Sequence, residues 1–123
     1  MATRIKNKIS KLILVRHGQS TYNEENRFTG WKDVGLTDKG IIEAENAAIL
    51  LKDLSIDLAF TSDLKRAQNT LKIILDSLNL NIDITYDKRL NERDYGDLIG
   101  QNKKEAALKF GEEQVQLWRR SYN

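Results

Sequence analysis

The chain has 123 residues, 40% of them hydrophobic and 31% charged, with a formal net charge of +2. This balance describes one globular domain with a modest core and predicts neither a nucleic-acid nor a membrane partner. There is no cysteine and only one histidine, His17, which excludes disulfides, thiolate metal sites and a histidine-rich metal centre within one chain.

No stretch approaches the roughly 18 consecutive apolar residues of a membrane span. The basic segment 1–11 is not followed by a signal-type apolar region and cleavage site. Residues 1–10 read as a basic N-terminal tail and 11–123 as a portion of a single domain. The lack of cysteine fits a reducing, cytoplasmic compartment.

In chain order, residues 11–15 form a short apolar run rich in β-formers, expected to be a buried strand. Residues 18–34 carry Gly, Asn, Ser and Thr and read as a long loop, a length that compact domains usually reserve for function. Thr37 is the expected N-cap of a helix from 38 to about 54, with Ile41, Ala44, Ala48 and Leu51 on one face. Residues 56–60 read as a second strand, and Thr61, Ser62 and Asp63 as N-cap candidates for the next helix. That helix runs to about residue 78, with Leu64, Ala67, Leu71, Ile74, Leu75 and Leu78 as its apolar stripe.

Residues 82–86 alternate as a third strand, and 90–100 are irregular. Asn102 is expected to cap a helix ending near Gly111, followed by a last helix over 112–120. The order βαβαβ implies right-handed crossovers and an α/β fold with a mainly parallel, doubly covered sheet. Such sheets bind ligands beyond the carboxyl ends of their strands. Arg16 and His17 follow the first strand, Thr61, Ser62 and Arg66 the second, and Asn91, Glu92 and Arg93 the third. Three polar clusters thus meet at one sheet edge.

Taken alone, a single histidine is more often structural than catalytic. At this edge, however, a neutral imidazole is suited to attack phosphorus. Arg16 beside it disfavours the protonated ring. Gly18 permits a sharp turn and a close approach to a ligand. The hydroxyls of Ser20 and Thr21 suit phosphoryl oxygens, and Arg16 and Arg66 suit their charge. Glu92 is the acid/base candidate, with an arginine-paired surface carboxylate as an equal alternative for that segment. Arg119 and Arg120 read either as a clamp for a substrate carboxylate or phosphate or as compensation of a helix dipole. Trp31 and Trp118 read as packing residues.

Arg16-His17-Gly18-Gln19-Ser20 resembles the RHG signature of the histidine phosphatase superfamily. Asn23, the stretch Asn26-Arg27-Phe28-Thr29-Gly30-Trp31, Leu36-Thr37-Asp38-Lys39-Gly40 and Thr61-Ser62-Asp63-Leu64-Lys65-Arg66-Ala67 extend the likeness. So do Leu90-Asn91-Glu92-Arg93, Tyr95-Gly96, Gly100-Gln101-Asn102-Lys103, Gly111-Glu112-Glu113-Gln114-Val115 and Trp118-Arg119-Arg120. This ordered series, from residue 12 to 120, resembles the cofactor-dependent phosphoglycerate mutases.

The resemblance implies a three-layer α/β/α, phosphoglycerate mutase-like fold, truncated after its N-terminal part. It implies that His17 is phosphorylated in turnover and that Glu92 gives and takes protons. By the same likeness Arg16, Ser20, Asn23, Thr29, Gly30, Arg66, Tyr95, Lys103, Arg119 and Arg120 bind phosphoglycerate. The implied reaction interconverts 2- and 3-phosphoglycerate in glycolysis and gluconeogenesis, primed by 2,3-bisphosphoglycerate, without a metal. Full-length relatives often form homo-oligomers.

Gln19 replaces a glutamate common after RHG, and Asp94 stands where many relatives carry histidine. Family members are substantially longer, with a second catalytic histidine on a later strand that this chain does not contain. The expectation is therefore low or no activity for the chain alone. A broader histidine phosphatase and an inactive phospho-acid-binding or oligomerising fragment are the alternatives.

Overall fold

Parallel pairing of two short strands organises the computed structural model, which describes residues 10–94, 96, 99–111, 113–114 and 116. β1 (Ala59–Thr61) lies beside β2 (Ile84–Tyr86), with Ala59 opposite Ile84, Phe60 opposite Thr85 and Thr61 opposite Tyr86. The crossover between them contains α3 (Lys65–Ser77), as parallel strands require. Ala59 and Thr61 are buried, whereas Phe60, on the opposite face of the pleat, is 60% exposed.

α2 (Asp38–Leu51) starts where the sequence reading places it. Thr37 Oγ1 accepts the Gly40 N–H at 3.1 Å, satisfying one of the otherwise unpaired first-turn amides. Ala44 and Ala48 are buried, and α2 packs against α3, which buries Ile74 and Leu75. The expected face holds at these small residues, while Ile41 stays 39% exposed.

The cap of α3 differs from expectation. Leu64 occupies the N-cap position and makes no side-chain cap bond. Asp33, far back in the loop, accepts the Lys65 N–H at 2.7 Å instead. Ser62 Oγ accepts the Leu64 N–H and Asn91 Oδ1 the Asp63 N–H.

The 18–34 loop contains a helix that composition concealed. α1 (Thr21–Glu24) is closed by a capping box in which Ser20 Oγ accepts from Asn23 N and Asn23 Oδ1 from Ser20 N. The loop is then tied across the chain. Phe28 N donates to Gln101 O, Gly100 N to Phe28 O and Lys103 N to Asn26 O. α4 (Lys103–Phe110) follows, with Asn102 as N-cap and Gly111 at its C-terminal end at φ 91°. Phe28 is completely buried and Ala106 nearly so, giving this corner its own small core.

Residues 11–15 depart most from the sequence reading. They join no ladder among the described residues, and Leu12 and Leu14 are each 84% exposed. A strand is stabilised by hydrogen bonds and burial supplied by neighbours, and no described segment supplies them here. The tail over residues 1–9 and most of the last helix expected at 112–120 lie outside the described residues.

Candidate active site

His17 sits between the exposed segment 11–15 and a tight backbone crossing. A Cβ built on Gly18 would lie 2.2 Å from Gly40 O, and one on Gly40 would lie 2.1 Å from Gln19 O. Both collisions are with backbone, so only two glycines let residues 18–19 cross the first turn of α2. The glycine after His17 therefore serves contact with α2. Gly18 is absent from the positive-φ glycines, which are Gly30, Gly96, Gly100 and Gly111, so its lack of a Cβ matters for the close approach to Gly40 rather than for a left-handed conformation.

The crossing fixes the imidazole. His17 Nδ1 lies 2.7 Å from Gly18 O, and Nε2 lies 3.4 Å from Glu92 Oε2. Both ring nitrogens face acceptors, an arrangement that imidazolium satisfies at both ends. The Gly18 carbonyl can only accept, so its 2.7 Å contact calls for a proton on Nδ1 and leaves Nε2 facing the carboxylate. The charged group touching the ring is thus a carboxylate, rather than the cation of Arg16 that the sequence reading emphasised.

Glu92 is held from two sides. Its Oε1 lies 3.0 Å from Arg66 Nη2, and its backbone carbonyl accepts the Trp31 indole N–H at 2.6 Å. Trp31, expected to be a packing residue, therefore anchors the main chain that carries the carboxylate. Its ring also lies under the Lys88 ammonium at 5.2 Å. Glu92 is 38% exposed. Desolvation is the largest single influence on it and raises its pKa. The hydrogen bond from His17, together with the charges of Arg66 and His17 and the Arg66 hydrogen bond, outweighs this and brings the carboxyl below its ordinary value.

Arg66, in the first turn of α3, is completely buried. Burying a guanidinium is costly unless its donors are met. Here Nη1 donates to Lys32 O at 2.7 Å and Nη2 to Gly30 O at 2.5 Å, in addition to the Glu92 ion pair. Gly30, at φ 52°, adopts the left-handed conformation that directs this carbonyl inward at little steric cost. Arg66 Nε is buried and has no partner.

A cleft of about 490 Å³ opens on another side of His17, lined by Arg16, Asn23 and Lys103 together with Gln19, Glu43 and the small residues Gly18, Ala44 and Ala47. His17 is the residue shared by this cleft and the Glu92–Arg66 pair. Glu43 accepts the Gln19 N–H at 2.8 Å, and Gln19 Oε1 accepts from Thr37 Oγ1 at 2.8 Å, so the residue after RHG braces the cap of α2.

The expected site residues therefore fall into groups. His17 and Arg66 each contact Glu92, and Arg16, Asn23 and Lys103 share the cleft with His17. Ser20 and Thr29 are buried within the loop, Ser20 committed to the α1 cap, and Gly30 acts through its carbonyl. Tyr95, Arg119 and Arg120 lie outside the described residues. The cross-chain contacts of Thr70, Trp31 and Gly40 were not expected from sequence, where Trp31 reads as a packing residue, because the partners are distant in the chain. Only Gly40, a glycine in a helix's first turn, gave a local signal. Among the described residues no group of three or more His, Cys, Asp or Glu is arranged to hold a metal, and no helix is long and apolar enough to cross a membrane.

The chain is 54% identical over 118 residues to a 2,3-bisphosphoglycerate-dependent phosphoglycerate mutase 2 of Bacteroides thetaiotaomicron, covering 94% of this chain and 48% of that protein. It is 58% identical to a 2,3-bisphosphoglycerate-dependent phosphoglycerate mutase of Hamiltonella defensa, covering 94% and 47%. The chain thus spans about half the length of the curated relatives it matches. The fold is similar to that of the alpha-ribazole phosphatase from Shigella flexneri, with a TM-score of 0.72 and 28% identity over 89% of this chain and 52% of that one. Residues 12–123 match the family model described as histidine phosphatase superfamily (branch 1), and with His17 set against Glu92 and a buried Arg66 on a parallel α/β frame, the chain belongs to that superfamily.

Proposed function

We propose that this chain carries the phosphoryl-accepting part of a phosphoglycerate mutase of glycolysis and gluconeogenesis, interconverting 2- and 3-phosphoglycerate through a phosphohistidine at His17. The observation that carries this reading is the contact of His17 Nε2 with a carboxylate that a fully buried arginine holds in place. A nucleophile, an acid/base group and a fixed cation are the main protein contributions to a phosphoryl transfer. The names of the 54% and 58% identical relatives support the mutase assignment.

In this reading Glu92 first takes the Nε2 proton while Gly18 O keeps Nδ1–H in place. Nε2 then bonds to phosphorus as the bond to the phosphoglycerate hydroxyl oxygen breaks, and Glu92 returns the proton to that oxygen. In the onward transfer a phosphoglycerate hydroxyl attacks phosphorus, the P–N bond breaks and Glu92 takes the hydroxyl proton. Arg66, already fixed by two backbone carbonyls, offsets the charge on the phosphoryl oxygens with little reorganisation.

Bound 2,3-bisphosphoglycerate supplies the priming phosphoryl group. Arg16, Asn23 and Lys103 on the cleft form a donor set suited to such an anion. Tyr95, Arg119 and Arg120 complete the phosphoglycerate contacts in this reading, and a metal has no role. The reaction belongs to the cytoplasm.

Because the chain spans about half the relatives' length, turnover by the chain alone is expected to be low or absent. The test is the fate of a phosphoryl group already on His17, followed by phosphorus NMR. Transfer to added 3-phosphoglycerate supports the mutase. Release as inorganic phosphate, whether or not phosphoglycerate is present, overturns it in favour of the hydrolytic alternative that the phosphatase neighbour favours.

A further inference from the structure

Thr70 lies one turn beyond Arg66 in α3 and is 4% exposed. Its O–H donates to Arg66 O at 2.7 Å, the local bond that a helical threonine commonly makes. The same oxygen accepts the Gly18 N–H at 3.1 Å from across the molecule. That N–H belongs to the peptide joining His17 to Gly18, and the Gly18 carbonyl in turn holds His17 Nδ1. Glu92 links Nε2 back to Arg66. His17, Gly18, Thr70, Arg66 and Glu92 therefore close a ring of hydrogen bonds with Thr70 as its hinge on α3.

We propose that Thr70 is a positioning residue whose hydroxyl sets where the His17 ring stands relative to the Arg66 guanidinium. The backbone cannot shift toward α2 to find another acceptor, which leaves rotation of the peptide as its freedom. Gly18 is pressed against Gly40, whose carbonyl oxygen lies 2.2 Å from where a Cβ would stand. Losing the Thr70 oxygen leaves a buried N–H with no acceptor, a penalty the chain relieves by turning the His17–Gly18 peptide. The ring turns with it. The consequence for phosphoryl uptake rests on the proposed function; the effect on ring geometry does not.

The test compares the 123-residue chain with its Thr70→Val and Thr70→Ser variants, each checked for folding by circular dichroism. With one histidine in the sequence, nitrogen NMR of the labelled ring reports His17 without ambiguity. Valine keeps the shape and removes the hydroxyl; serine keeps the hydroxyl and removes the methyl. The expected result is displaced ring nitrogen resonances in Thr70→Val and wild-type positions in Thr70→Ser. Uptake of a phosphoryl group from 2,3-bisphosphoglycerate should slow by about tenfold or more in the valine variant only.

Unchanged resonances in folded Thr70→Val overturn the proposal, as do equal displacements in both variants. If the valine variant does not fold, hydrogen exchange of the Gly18 amide decides. Slow exchange in wild type and Thr70→Ser supports the hinge, and exchange as fast as in exposed loop segments overturns it. Displaced resonances without phosphoryl uptake by the wild type would support the hinge and count against the proposed function alone.

Discussion

Phe28, Ser20 and Arg66 are fully shielded from solvent, whereas Leu12 and Leu14, just ahead of His17 in the chain, are almost fully exposed. The polar loop is the better-buried region because its closing partners lie within the described chain. Gln101 and Gly100 bond Phe28, Gly30 and Lys32 bond Arg66, and Ser20 and Asn23 bond each other. The apolar segment depends on strand neighbours, which no described residue provides. Burial here follows the supply of hydrogen-bond partners more closely than it follows hydrophobicity. Among the described residues the loop around Phe28 finds its hydrogen-bond partners, and residues 11–15 do not.

The strongest test of that contrast is to remove its anchor. Phe28→Ala should lower stability by about 3–5 kcal/mol in urea unfolding, and a loss below about 1 kcal/mol would mean the corner has no core of its own. Gly40→Ala comes next. Its Cβ meets Gln19 O at 2.1 Å, an overpacking that should cost about 1–3 kcal/mol. Gly18→Ala strains the same crossing, so the double variant should lose less than the two single losses added together.

Glu92 sharpens the comparison through pH. Its folded pKa lies below the ordinary 4.5, so its ionised form is favoured by folding. The stabilisation is fully present above about pH 4.5 and disappears as pH falls through the lower, folded value. With the side chain 38% exposed, the effect should stay below about 1 kcal/mol. The melting-temperature gap between wild type and Glu92→Gln should therefore close on acidification. A gap that widens would reverse the sign. The smallest effect belongs to the exposed region, where Leu14→Ser should change stability by no more than about 0.5 kcal/mol. A larger loss in the same urea assay would show that residues 11–15 are packed.

Local chemistry was legible in the sequence. Thr37, Asn102 and Gly111 mark helix ends in both the reading and the structure, because a cap is decided within a few residues. The end of α3 was misread because its first amide is met by Asp33, a loop residue that no local rule selects. α1 was hidden by loop-like composition, although Ser20 and Asn23 stand at capping-box spacing. In the site, the sequence reading grouped His17, Arg66 and Glu92 by placing them after three strands; the structure links them through Glu92 although residues 11–15 join no ladder among the described residues. The roles of Trp31 and Thr70 are long-range contacts of residue types that usually pack, so nothing local distinguished them.

The proposed role of His17, poised against a carboxylate that Arg66 holds, is to accept a phosphoryl group. It is tested most directly by weighing the intact chain after mixing with 2,3-bisphosphoglycerate. The expected result is a mass gain of one phosphoryl group that is acid-labile and absent from His17→Ala. An unchanged mass in the folded wild-type chain, or the same gain in His17→Ala, would contradict it.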